Sequence, residues 1–423
     1  MTEKLLQFIW RYQYFNRSEL RTEQGESIQV IEPGTWNTNQ GPDFLGAKIR
    51  INETTWAGNI ELHIFTSDWN KHQHFTDSNY TNIILHVVWK NDEPPSGPLM
   101  QTPVLELQSR VSTILLQRYE EWMNNPHFVP CVAALFQVND LVWLKWKERL
   151  LIERLQRKSK RIAGLLQQNN NHWEESFWWL IARNFGIRIN ADAFEAIARS
   201  IPLNTLVKHK SQIHQLEALL FGQAGLLEKR FVESYPQLLQ KEYRFYQKKY
   251  RFKKVFVALK FLRMRPSAFP TVRLAQLAKL IQQSTHLFAR IRDMDSLKEI
   301  RSLLDVTAND YWHYHYRFDE QSAFIRKNLG GEMVDNILVN TVIPVLFAYG
   351  NLQGESAWKD KVLDWMVAIR SEQNRITKGW VAAGARNVNA FDSQSLIELK
   401  TEYCDYKRCL DCAIGNALLK KEG

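Results

Sequence analysis

Cysteine is scarce: four occur in 423 residues, and three of them, Cys404, Cys409 and Cys412, crowd near the C-terminus. That layout excludes the evenly spread framework of a disulfide-stapled secreted domain. It suits a reducing compartment, and a cytoplasmic location is the expectation. Long apolar runs are missing as well. No stretch reaches roughly 18 uncharged apolar residues, so neither a membrane-spanning helix nor a membrane partner is expected. The opening MTEKLLQFIWRYQYF lacks the apolar segment of a signal peptide and reads as a short amphipathic helix. There is no GxxxxGK(S/T), no GxGxxG after a strand and no GxSxG. P-loop nucleotide hydrolysis and serine-hydrolase chemistry therefore have no support. Nor does any fixed-period repeat point to a solenoid.

What is present is an ordinary globular composition, 45% hydrophobic and 24% charged. It has room for two or three domains and a sizeable core. The net charge of +10 hides an asymmetry. Residues 1–130 hold 10 Lys/Arg against 15 Asp/Glu; of totals of 55 and 45, that leaves 45 against 30 for the remainder. An acidic part of net −5 is joined to a basic part of net +15. Such a basic part suits a polyanion, with nucleic acid the expected partner; solvated helix faces are the competing explanation.

Hydrophobic periodicity orders the chain. Residues 5–16 have helical spacing; 28–31, 47–51, 56–65, 82–89 and 104–107 read as strands, and 35–43 as a turn-rich loop. The segment 82–89 (NIILHVVW) is apolar on both faces and predicts a central strand. Ile60, Leu62 and Ile64 share one face of their strand, with Glu61, His63 and Phe65 on the other. From about residue 110 the pattern turns helical. Leu144, Leu151, Leu155, Ile162 and Leu166 form one stripe within 141–166. The expectation is an α+β chain: a strand-rich core over 1–125, a basic helical domain over 126–300 and a helical domain over 301–423 that ends in the cysteine cluster.

One constellation stands out for chemistry. Gly41-Pro42-Asp43 enters a strand, and Glu61-Leu62-His63 follows 18 residues later on the next one. Adjacent strands would bring the two carboxylates within a few ångströms, a hard oxygen site for Mg²⁺ or Mn²⁺. This pattern resembles the PD-(D/E)xK nuclease superfamily, as does the helix–strand–strand–strand order of residues 5–107. The resemblance implies a nuclease-like core acting on nucleic acid. Asp43 and Glu61 would be its metal ligands, and the third position would place the attacking water. His63 stands where that superfamily has lysine; imidazole can orient or deprotonate water but lacks the fixed positive charge. A turn aspartate and a solvent-facing Glu/His pair is the plainer alternative.

The chain as a whole is also similar to a bacterial family defined only as a domain of unknown function. That likeness rests on Gly41-Pro42-Asp43-Phe44, Glu61-Leu62-His63, Ser67-Asp68-Trp69, His72-Gln73-His74 and Leu85-His86-Val87-Val88. Farther on it rests on Glu217-Ala218-Leu219-Leu220-Phe221-Gly222, Arg263-Met264-Arg265-Pro266 and the cysteines. It implies no activity.

Three further clusters are candidates. His72-x-His74-x-x-Asp77, with His63 and His86 near in sequence, has residue types that bind zinc; packing histidines beside Trp69, Phe75 and Tyr80 are the alternative. Cys404, Cys409 and Cys412 can reach one metal, with Cys131 or the nearby His127 as fourth ligand. Zinc, an iron–sulfur cluster and free thiols all fit that spacing. Some PD-(D/E)xK nucleases hold an iron–sulfur cluster on one remote and three C-terminal cysteines. There the lone cysteine precedes the core, whereas Cys131 follows it. Finally, residues 241–254 (KEYRFYQKKYRFKK) interleave aromatics with cations, among them Arg244, Lys248, Lys249 and Arg251, as single-strand binding needs. An amphipathic helix with its aromatics packed inward has the same pattern.

Three functions compete on these residues: a metal-dependent nuclease or phosphodiesterase, an inactive nuclease-like module that binds nucleic acid, and a helical scaffold for protein partners.

Overall fold

Helix α1 (Glu3–Tyr12) begins where the Thr2 hydroxyl accepts the Leu5 N–H at 3.3 Å. It stops at Gln13, whose φ of 55° is left-handed. Leu5, Leu6, Ile9 and Trp10 bury one side, while Glu3 and Gln7, four apart, share a face. The computed structural model describes every residue except 39, 72–79, 81, 94–101, 263, 285 and 421–423.

Six strands follow: β1 (Ile28–Glu32), β2 (Thr35–Trp36), β3 (Phe44–Ile51), β4 (Thr54–Phe65), β5 (Ile83–Lys90) and β6 (Val104–Glu106). They make one mixed sheet in the order β1-β3-β4-β5-β6, with β2 paired to β3. The β1–β3 and β3–β4 pairs are antiparallel; β4–β5 and β5–β6 are parallel. Strand β5 is buried continuously from Ile84 to Val88 and has a neighbour on each side, as its two-faced apolar pattern predicts. Two expectations change. Thr35 and Trp36, read as loop, pair with Leu45 and Phe44. The polar face of β4 is not open to solvent: Glu61 and His63 are as buried as Ile60 and Leu62. The short helix α2 (Asp68–Lys71) follows β4, and its Trp69 ring stands edge-on to His63.

The described chain divides into two compact units that do not follow it in order. The first holds Met1–Trp146, Gly379–Ala385 and Ile397–Gly423; the second holds Lys147–Lys378 and Arg386–Leu396. This differs from three consecutive segments, because the C-terminal part returns to the first unit. Within that unit Trp380 packs edge-on to Phe128 and Trp143, and the Tyr14 hydroxyl donates to Asn416 at 2.6 Å. Helix α3 (Thr113–Asn124) meets the last helix there, where Arg118 donates to the carbonyl of Leu418.

The second unit is helical, so the chain as a whole is α+β. Helix α4 (Asp140–Gln168) spans the division at Trp146/Lys147. Its Leu151, Leu155, Ile162 and Leu166 are core residues, but Leu144 is half exposed. Then come α5 (Trp173–Phe185), α6 (Ile187–Ser200), α7 (Leu203–Lys208), α8 (Ile213–Gln223) and α9 (Ser234–Tyr250). Helix α8 is buried all round, which explains its Glu217–Gly222 motif. A Cβ on Gly222 would lie 2.0 Å from the Tyr243 ring, so only glycine fits. Glu217, wholly buried, accepts from the Tyr235 hydroxyl at 2.8 Å and the Trp312 indole at 3.0 Å. Among the described residues one helix, Gly331–Gln353, is long and apolar enough to cross a membrane, but 83% of its apolar window is buried inside the fold.

Candidate functional site

The two carboxylates singled out in the sequence meet. Asp43 immediately precedes β3, Glu61 lies on the neighbouring antiparallel β4, and Phe44 pairs with Ile60. The Asp43 N–H donates to Glu61 Oε2 at 3.1 Å, and the Leu62 N–H donates to Asp43 Oδ2 at 3.0 Å. Each carboxylate is thus tied to the other's strand. From α1, Gln7 Nε2 donates to Asp43 Oδ1 at 2.7 Å and also reaches Glu3 at 3.4 Å. Burial pushes the Asp43 carboxyl up, and the nearby Glu3 adds to the shift. Burial raises Glu61 further, followed by the charge of Asp43 and then of Glu3. Two carboxyls that resist ionising side by side hold protons more tightly than usual, and as hard oxygen donors they are the residues that could hold Mg²⁺ or Mn²⁺. Among the described residues, no group of three or more His, Cys, Asp or Glu side chains stands in metal-binding geometry.

His63 joins the pair from behind. Its Nε2 lies 3.8 Å from Glu61 Oε1, and its Nδ1 shares a 2.9 Å hydrogen bond with His86 Nε2. It is only 2% exposed, with Trp69 packed on both imidazoles. His63 therefore braces Glu61 from within the fold. Glu3 and Gln7 belong to this constellation and were not singled out in the sequence; the one available signal was their four-residue spacing on an amphipathic helix. His86, read in the sequence as a neighbour of the histidine cluster, pairs here with His63.

Gln7 also lines a cleft of about 180 Å³. One wall is α1, with Lys4, Phe8, Arg11 and Tyr12; another is Tyr406, Lys407, Arg408, Leu410 and Asp411, the last paired with Arg408; Trp36 and Tyr119 complete it. Arg11 lies over the Tyr12 and Trp36 rings at 5.3 and 5.0 Å. A residue that holds Asp43 thus faces a cleft of cations and aromatic rings.

The second wall belongs to the loop between Cys404 and Cys412. All four cysteines are free thiols, and the fold brings Cys131 to the other three. Burial raises the Cys404 thiol well above its ordinary value, and Cys412, Cys131 and Cys409 add to this in that order. Burial raises the Cys412 thiol too, and the backbone of Gly415 and Ile414 and the nearby Trp146 side chain act against that rise. The set is chemically fit for zinc or an iron–sulfur cluster, while its thiols do not stand at coordination spacing. His127, the alternative fourth ligand, is exposed.

The basic stretch divides. Arg244, Lys248, Lys249 and Arg251 are all exposed. Tyr246 is buried against His209, Tyr250 bonds His209 at 2.8 Å and Tyr243 packs on Gly222. Phe245 is the aromatic that stays well exposed, at 58%. His72, His74, Asp77 and Arg263 lie outside the described residues.

A mixed sheet with a buried carboxylate pair at the β3–β4 junction, carried on an α+β chain, defines the class. The chain belongs to the family described as Protein of unknown function (DUF2851), whose family model matches residues 3–375. The match includes the carboxylates and Cys131 and stops before the three C-terminal cysteines. No curated protein matches the chain, and no solved structure does.

Proposed function

We propose that the first unit is a metal-dependent phosphodiesterase of the nuclease type, acting on nucleic acid. The observation that carries this reading is the Asp43–Glu61 pair: each carboxylate is bonded to the other's strand, each is raised by burial, and Gln7 ties the pair to a cleft of cations and rings. The strand order supports the PD-(D/E)xK resemblance: an antiparallel β3–β4 pair after a helix, then a parallel β4–β5 pair. Mg²⁺ or Mn²⁺ held by Asp43 and Glu61 would supply a Lewis acid for the scissile phosphate and would acidify water beside it.

The remaining work falls to the chain's own side chains. Gln7 fixes the rotamer of Asp43. His63, between Glu61 and His86, is a positioning residue for Glu61 and holds a proton within that buried pair. Lys4 and Arg11 attract phosphates, while Tyr12, Trp36 and Tyr406 offer faces to unstacked bases. Lys4, in the cleft with Gln7, supplies the fixed positive charge that His63 lacks. Zinc or an iron–sulfur cluster on Cys131, Cys404, Cys409 and Cys412 would hold the Tyr406–Arg408 wall in place.

A second reading rests on one observation. His63 is buried and does not front the cleft, so the core could bind nucleic acid without cutting it. Labelled single- and double-stranded DNA and RNA incubated with Mg²⁺ or Mn²⁺ decide between the two. Cleavage by the full chain, lost in Asp43→Asn and Glu61→Gln, is the expected result. Salt-sensitive binding with no cleavage under any of these conditions leaves the inactive module in its place.

A further inference from the structure

The second unit holds a cavity of about 390 Å³ between α4, α5, α6 and residues 336–345. Lys158, Arg161, Arg183 and Arg188 line it, and no described acidic side chain does. The nearest compensation is thin. Arg161, Arg183 and Arg199 all converge on the single carboxylate of Glu195, at 2.9, 2.9 and 2.8 Å. Asp192, the other partner of Arg183, is 94% exposed. Burial lowers the Arg161 proton affinity, and the neighbouring Arg183 lowers it further, which reports crowding of like charge. The rest of the lining is largely apolar, with Ile162, Leu180, Ile187, Pro344 and Val345. Packed interiors rarely leave a void of this size, and small-molecule sites start at roughly 300 Å³.

Backbone irregularity gathers at the same place. Ile187, β-branched, has a φ of +48°, a conformation such side chains rarely adopt. Leu338–Val342 is a π-helical turn, and it sets Asn340 and Thr341 on the cavity wall. Asn340 accepts from Lys158 at 2.9 Å, and Thr341 accepts from Asn184 at 2.9 Å. Strain of this kind persists where the surroundings enforce it, commonly at ligand sites.

We infer that this cavity binds a nucleoside phosphate: guanidinium forks and Lys158 take the phosphate, and the apolar lining takes the base. The inference does not rest on the carboxylate site, and its test is arranged to keep the two apart. The full-length chain, with Asp43→Asn and Glu61→Gln in place, is titrated calorimetrically with AMP, ADP and inorganic phosphate. Saturable binding of AMP or ADP, tighter than phosphate, is expected. Arg188→Ala and Lys158→Gln should each weaken it by about tenfold or more. Arg188 is exposed, so its variant folds even if changes at the Glu195 cluster do not. Absence of nucleotide binding up to millimolar concentration overturns the proposal. So does binding that both variants leave unchanged, or phosphate binding as tight as AMP, since the apolar lining would then have no role.

Discussion

Each unit contains buried carboxyl chemistry, and the two cases differ in kind. In the second unit Glu217 is alone: burial raises it, and the neutral donors Tyr235 and Trp312 both bond its Oε2, leaving Oε1 without a partner. In the first unit Asp43 and Glu61 are raised by burial and by carboxylate neighbours, and Gln7 links them to a cleft. Raised proton affinity is common to both, so it does not by itself mark a site. On the proposed reading, proximity of like charges beside an accessible cleft is what separates a metal-binding pair from a structural anchor.

The largest expected effect tests the anchor. Glu217→Ala leaves the Tyr235 hydroxyl and Trp312 indole without their acceptor and should destabilise the second unit by about 3 kcal/mol. Denaturant unfolding measures this, and the residual folded protein should keep its cleavage rate. Glu61→Gln should do the reverse, removing cleavage with stability unchanged or raised. Similar stability losses in both variants would erase the distinction.

pH sharpens it next. The folded-state proton affinities of Asp43 and Glu61 lie above their unfolded values, so the fold is favoured below the ordinary carboxyl range and loses that stability as pH rises through about 7 and about 9. In chelator, Tm of the wild type should fall over that window. Glu61→Gln should flatten the fall, and Mn²⁺ should restore Tm in the wild type alone. Glu217→Gln should flatten the decline only up to its own raised value of about 7, where it overlaps that of Asp43, and with no response to Mn²⁺. A wild-type decline insensitive to Mn²⁺ would place both carboxyl sites in the structural class.

The thiols give a compositional test. Protein purified anaerobically should carry about one zinc or one iron–sulfur cluster per chain, with absorbance near about 400 nm only for the latter. Elemental analysis that finds neither leaves four free thiols. The smallest effect concerns the exposed strip. Reversing Lys248, Lys249 and Arg251 to Glu should weaken single-strand binding less than reversing Lys4 and Arg11, because only Phe245 remains beside the former to stack. The opposite ranking, read by fluorescence anisotropy, would move the binding surface to the second unit.

Much of this was legible in the chain, unevenly. Strand β5 announced itself because both of its faces are apolar, and the Asp43–Glu61 spacing matched a strand-to-strand crossing. Burial of Glu61 and His63 was not legible, since alternation along β4 marks a polar face without saying what covers it. The coverage comes from α1 and Trp69, and from a histidine 23 residues away. Helix α9 left two readings open for a related reason: its pattern fixes which residues share a face, but the facing partners that settle the inward packing, His209 and Gly222, are remote. The return of residues 397–423 to the first unit leaves no local trace either, because it depends on long-range packing.

The most direct test of the central claim is calorimetric titration of Mn²⁺ into the metal-free, full-length chain near about pH 8, repeated in buffers of different ionisation enthalpy. The account predicts about one ion per chain, with proton release as Glu61 ionises, and loss of binding in both Asp43→Asn and Glu61→Gln. No binding, or binding that both variants retain, would contradict it.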